Sequence, residues 1–229
     1  ETKHDESTYS IFGGSIVLEG STLNARQFAT QGSREKMAAQ IFTGTEHFRS
    51  GISKVTKDTP EPYKKVQSWL QVSYQNETYH KVSPKFTLGA YLEAYYSSRN
   101  FSNNYTATLM QAGEFTPTAH SKVTYNEAFR ANQYAGVGTM PIYQLSESFQ
   151  LRGEFYGFIP IFPIKKDEYG QAYYGKAFTK FEYLGEISLV FQLSFGSISA
   201  YVNHYSSPSN DWNVGLTLGW QLFNSRFVE

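Results

Sequence analysis

From Asp211 to Phe223 (DWNVGLTLGWQLF) an apolar residue occupies every second position: Trp212, Val214, Leu216, Leu218, Trp220 and Leu222. Asn213, Gly215, Thr217, Gly219 and Gln221 lie between them. Successive side chains of a strand point to opposite faces, so this spacing predicts a strand with one apolar face and one small, polar face. The same period of two recurs over 11–24, 33–43, 68–80, 85–97, 131–143, 149–162, 177–193, 197–206 and 211–223, giving nine expected strands. In 85–97, Phe86, Leu88, Ala90, Leu92, Ala94 and Tyr96 oppose Thr87, Gly89, Tyr91, Glu93 and Tyr95. In 177–193, Phe181, Tyr183, Ile187, Leu189, Phe191 and Leu193 oppose Glu182, Glu186, Ser188 and Gln192. Helical periodicity nowhere exceeds about two turns.

The connections sort by length. Val82–Lys85, Gln144–Ser148 and Ser194–Ser197 are short, whereas 44–67, 98–130 and 163–176 are long. Short turns at one end and long loops at the other, with strands of about 10–14 residues, predict an antiparallel transmembrane β-barrel rather than a sandwich of strands of about 5–6. Aromatic residues near the strand ends, among them Tyr95, Tyr96, Phe158, Tyr173, Tyr174, Tyr201, Tyr205, Trp212, Trp220 and Phe223, suggest interfacial girdles.

Composition adds constraints. Aromatic and charged residues each make up 17% of the 229 residues, and the formal net charge is zero, which gives no electrostatic case for binding nucleic acid. There is no cysteine, so disulfides and thiolate metal sites are excluded. The longest nearly continuous apolar run, Phe158 to Ile164, contains two prolines and falls far short of the ~20 residues of a spanning helix. The first alternating segment begins almost at once, so we expect further protein upstream.

The loop SSRNFSNNYTATLMQAGEFTPTAHSKVTYNEAFRANQYAGVG, together with GKAFTKFEYLGEISLVFQL, SISAYVNHYSSPS and WNVGLTLGWQLFN, resembles the C-terminal barrel of Bacteroidetes patatin-like phospholipases. Those barrels are similar to the outer-membrane assembly and two-partner-secretion superfamily. There, a sixteen-stranded barrel carries a long loop folded into the lumen before its last five strands. Five expected strands follow Arg130 here, so the resemblance makes residues 1–229 a single barrel domain, the last nine strands of sixteen, with long loops at 44–67 and 98–130. It also implies a lumen-anchoring role for Arg130, in Phe129-Arg130-Ala131-Asn132-Gln133-Tyr134, where Ala131 replaces the usual glycine and the aromatic is displaced to Tyr134. A guanidinium in a partly dry lumen needs a bidentate acceptor, for which Glu154 is the first candidate and Glu182 the second. Asn213, Gly215, Leu218 and Trp220 match the C-terminal insertion signal read by the barrel assembly machinery.

Hydrolytic chemistry has weaker support. Gly13-Gly14-Ser15-Ile16-Val17 lacks the second glycine of a G-x-S-x-G elbow and lies in an alternating segment. His204 and Ser206 share a face at strand spacing, with Asn210 downstream as a possible orienter, which resembles the His-x-Ser and Asn arrangement of outer-membrane phospholipase A. The other histidines have no ligand-like spacing, so neither metal nor cofactor is expected. The expectation is an outer-membrane segment of a Gram-negative bacterium that contacts lipid and anchors or exports an upstream patatin-like lipase. The alternatives are a small barrel phospholipase using His204 and Ser206, or a soluble secreted β-sandwich that binds a partner.

Overall fold

The computed structural model describes residues 5–49, 51, 63–194, 196–207 and 212–220, and 65% of the described residues are strand. Nine strands lie side by side in chain order: β1 (Glu6–Ser21), β2 (Gly32–Arg49), β3 (Tyr63–Lys81), β4 (Phe86–Ser97), β5 (Gln133–Gln144), β6 (Phe149–Pro160), β7 (Glu182–Leu193), β8 (Gly196–Tyr205) and β9 (Trp212–Trp220). Each is antiparallel to the next, and among the described residues β1 and β9 are free edges that do not pair with each other. The expected strand number and order therefore hold. The connections 82–85 and 194–195 lie at the same end as 145–148 and 22–31. The long connections 98–132 and 161–181 leave from the opposite end.

The boundaries move most in the first three strands. β2 runs on to Arg49 and β3 begins at Tyr63, so the expected loop 44–67 contracts to 50–62. Glu46 and Phe48 alternate with Thr45 and His47 in unbroken register, Tyr9↔Glu46 on one side and Glu46↔Lys65 on the other. Polar alternation reads as loop in a sequence, yet a polar strand forms where a neighbour supplies the ladder.

Pleating gives the sheet two different faces. On the inner face of β4 to β8 lie Glu93, Tyr134, Met140, Arg152, Glu154, Tyr156, Phe158, Glu186 and Asn203, all buried. The outer face presents Leu88, Leu92, Val137, Leu151, Phe155, Ile187, Leu189, Ile198, Val202, Val214 and Leu216, all exposed. This corrects part of the expected girdle. Tyr96 and Trp212 do face outward, but Phe158 and Tyr205 are buried inside, and Tyr95 and Tyr201 share that inner face.

The sheet also curls. Turn 22–31 crosses the inner face, so that the Ala29 carbonyl accepts from Arg152 at 2.8 Å and the Ser197 hydroxyl bonds Gln27 at 3.0 Å. Phe28 takes a left-handed backbone (φ 54°) within this turn.

At the middle of the inner face Gly136 lies directly beneath the Phe115 ring, which occupies the space a Cβ would need. Phe115 belongs to the long connection, so this glycine sets how closely the loop approaches the sheet. We expect Gly136→Leu to displace Phe115 and cost about 1–3 kcal/mol, as overpacking does. Unchanged denaturant midpoints would show that the ring is not held there.

Candidate functional site

The inner face is covered by the connection 98–132. A short helix, α1 (Tyr105–Gln111), is started by Asn104, whose side chain accepts from the Ala107 N–H at 2.7 Å. Beyond it, Gly113–Glu114 pairs with Arg130–Ala131 and closes the loop on itself. Phe115 then projects into an aromatic cluster. Its ring stacks on Phe158 at 5.5 Å and meets Tyr134 and Tyr156 edge-on at 6.0 and 6.3 Å. Phe129 adds contacts to Phe158 and Tyr205, each at 5.6 Å.

Polar groups on the wall meet polar groups on this loop. Thr118 and Ser121 bond each other's side chains and backbone in a tight turn, which presents His120 to the sheet. His120 Nδ1 lies 2.6 Å from Glu186 Oε1 and Nε2 lies 3.3 Å from the Ser199 hydroxyl. As a carboxylate Glu186 only accepts, so the Nδ1 proton points at it and Nε2 is left to Ser199. The imidazole also stacks on Tyr201 at 3.6 Å, and the His120 and Glu186 side chains are 2% and 1% exposed. Tyr201 can lie flat because Gly215 on β9 leaves room for its ring. Further along, Tyr134 donates to Glu93 at 2.6 Å, while Arg152 binds Glu154 and the Tyr79 hydroxyl. At the start of the loop the Arg99 guanidinium sits 4.3 Å from the Trp69 ring centroid. Burial pulls this guanidinium below its ordinary value, opposed by Tyr9 and Glu46.

The expected partners of Arg130 are not the ones it has. Its guanidinium pairs with Glu114 at 2.7 Å, within the loop. Glu154 is taken by Arg152 and Tyr156, and Glu182 by Ser206 and Lys180. Arg130 and Glu114 lie opposite each other on two paired two-residue strands, so the nearest carboxylate is its cross-strand neighbour. The tie between loop and wall is instead His120 with Glu186, whose signal was a carboxylate on the inner face of an alternating strand.

His204 and Ser206 also stay apart. His204 faces outward between Tyr183 and Trp212, at 5.9 and 4.8 Å between ring centroids. The Ser206 hydroxyl donates to Glu182 and accepts from the Tyr183 N–H, and Asn210 lies outside the described residues. Ser15 sits within β1 opposite Gln40, as a strand residue. Of the expected insertion signal, Asn213 pairs with Asn203 and Gly215 with Tyr201, Leu218 is exposed on the outer face, and the Trp220 side chain lies outside the described residues.

Ser199, His120 and Glu186 stand in nucleophile, base and carboxylate order. All three groups are buried, and the arrangement holds the loop to the wall. Comparison with family models, curated proteins and solved structures finds no match to this chain.

His120→Ala strips the buried Glu186 of its short donor and leaves it, among the described residues, only Asn203 at 3.4 Å, a change that costs about 3–5 kcal/mol. Limited proteolysis should then cut within 98–132, whereas Arg130→Ala, which removes a partly exposed pair of about 1 kcal/mol or less, should leave the loop protected. Equal protection in both variants would contradict the assignment of His120 as the tie.

Proposed function

We propose that this chain forms part of the wall of an outer-membrane β-barrel, with the connection 98–132 folded into the lumen as a brace. One observation carries the reading. The outer face of β4 to β9 holds no Asp, Glu, Lys or Arg, while Glu93, Arg152, Glu154, Glu182 and Glu186 all lie on the inner face. On β1 to β3 the outward charges Glu6, Glu35, Arg49 and Lys64 stand towards the strand ends, and Phe12, Ile16, Leu18, Ile41 and Leu70 fill the middle. From Phe86 to Tyr96 the apolar band covers ten rises of ~3.4 Å, which at a tilt of ~40° is about 26 Å, close to the ~25 Å of a spanning barrel.

The topology also constrains closure. With nine strands alternating in direction, β1 and β9 run the same way. Joining them by antiparallel pairs takes an odd number of further strands whose outermost members run opposite to β1 and β9; a second copy of this sheet in the same orientation has nine strands but would meet both edges in parallel. The resemblance to patatin-like phospholipase barrels implies seven, the remainder of sixteen, and with them an upstream lipase that this segment would anchor or export. The separation of His204 from Ser206 weighs against the small-barrel phospholipase. A soluble sandwich needs a second large sheet, and the described residues hold only two further pairs of two short strands.

Leu189→Arg tests the reading directly. On a lipid-facing wall it costs about 2–4 kcal/mol near the bilayer midplane, and membrane-integrated protein should fall sharply. Ser15→Arg, on the open inner face of β1, should integrate normally. If Leu189→Arg leaves the amount extracted from membranes unchanged, the outer face does not meet lipid.

A further inference from the structure

The outer face is not uniform. Between β5 and β9, towards the long-loop end, an open groove of about 690 Å³ runs along it. That volume falls within the roughly 300–1,000 Å³ of sites that hold one small ligand. Its floor is backbone at Gly185 and, beneath the edge of the Phe181 ring, at Gly157, both outward on neighbouring strands. Phe155, Phe181, Tyr183, Val202 and Trp212 wall it. Two outward glycines on adjacent strands remove side chains between Phe155, Phe181, Tyr183 and Trp212, so the depression is built from sequence.

One polar side chain stands at the groove's end. His204 is the only His, Lys, Arg, Asp or Glu on the outer face of β4 to β9, and no hydrogen bond to its ring occurs among the described residues. Glu182 and Glu186 of the adjacent strand are turned inward and bonded there. An ionisable group at membrane depth is expensive and marks a functional position. An apolar trough that ends at a single basic nitrogen, with no carboxylate beside it, complements an amphiphile with an apolar chain and an anionic head. Aromatic rings such as Tyr183 and Trp212 settle where chain meets head group.

We infer that this groove holds one acyl chain of a glycerophospholipid, with its phosphate hydrogen-bonded to His204. The inference rests on the membrane reading above. The lipid is bound rather than merely adjacent, and it stays with the protein through extraction.

The test uses the full-length protein extracted from its membrane into mild detergent, with dioleoyl phosphatidylglycerol as the probe and native mass spectrometry as the readout. A Cβ at Gly185 would meet only the Phe155 ring, at 3.6 Å, so Gly185→Leu fills the groove without a clash at its base. Gly14→Leu adds the same bulk to the outer face of β1, where nothing lies within 4 Å, and serves as the control. Wild type and Gly14→Leu should retain one phosphatidylglycerol, and Gly185→Leu about tenfold less. His204→Ala should lose phosphatidylglycerol while retaining diacylglycerol as wild type does. Retention by Gly185→Leu equal to that of Gly14→Leu, with both proteins in the membrane fraction, overturns the groove alone. Recovery of the wild type in water without detergent overturns the membrane reading, and the groove falls with it.

Discussion

Taking a carboxylate or guanidinium out of water costs several kcal/mol, and every other feature of this fold follows from where those charges are put. Strand alternation gives each residue of β4 to β9 one of two faces, and every Asp, Glu, Lys and Arg there shares one of them. A slip of one residue in any ladder would send Arg152, Glu154 or Glu186 outward and Leu151 or Ile187 inward. The charges therefore fix register as firmly as the apolar residues do.

A single sheet with polar groups on its inner face has no partner layer to pack against. The connection 98–132 serves as that layer. It brings an aromatic plug at Phe115 and Phe129, and it answers buried wall groups one by one: His120 for Glu186 and the Glu114 carbonyl for Tyr134, while the Asn126 side chain bonds the Ser207 carbonyl just past β8. Turn 22–31 does the same at the other end for Arg152 and Gln150. The inner face of β1, by contrast, stays open at Ile11, Ser15 and Val17, as a wall facing water would.

Much of this was legible in the sequence, because strict alternation leaves little choice. The nine strands, their order and the outward set Tyr183, Ile187, Leu189 and Phe191 all follow from period two. What alternation does not encode is which polar group on the inner face meets which loop residue. Arg130 carried the resemblance, yet its partner is set by the local pair Glu114↔Arg130. His120 looked like a stray loop histidine, and its contact with Glu186 joins positions 66 residues apart. The aromatics were misassigned for a similar reason. Tyr201 and Tyr205 sit on the polar face by parity, and their role as inner packing appears only once the loop lies over them.

The central claim is that the outer face of this sheet meets lipid and the inner face meets water. Because the sequence contains no cysteine, single cysteines can be placed at Ile187, Leu189 and Leu216 on the outer face, at Gln71 on the inner face and at exposed Tyr169 in a loop. A membrane-permeant, water-borne maleimide should label 71 and 169 in intact vesicles and leave 187, 189 and 216 unmodified until the protein is unfolded. Labelling of those three positions in the folded protein as fast as position 169 would contradict the account.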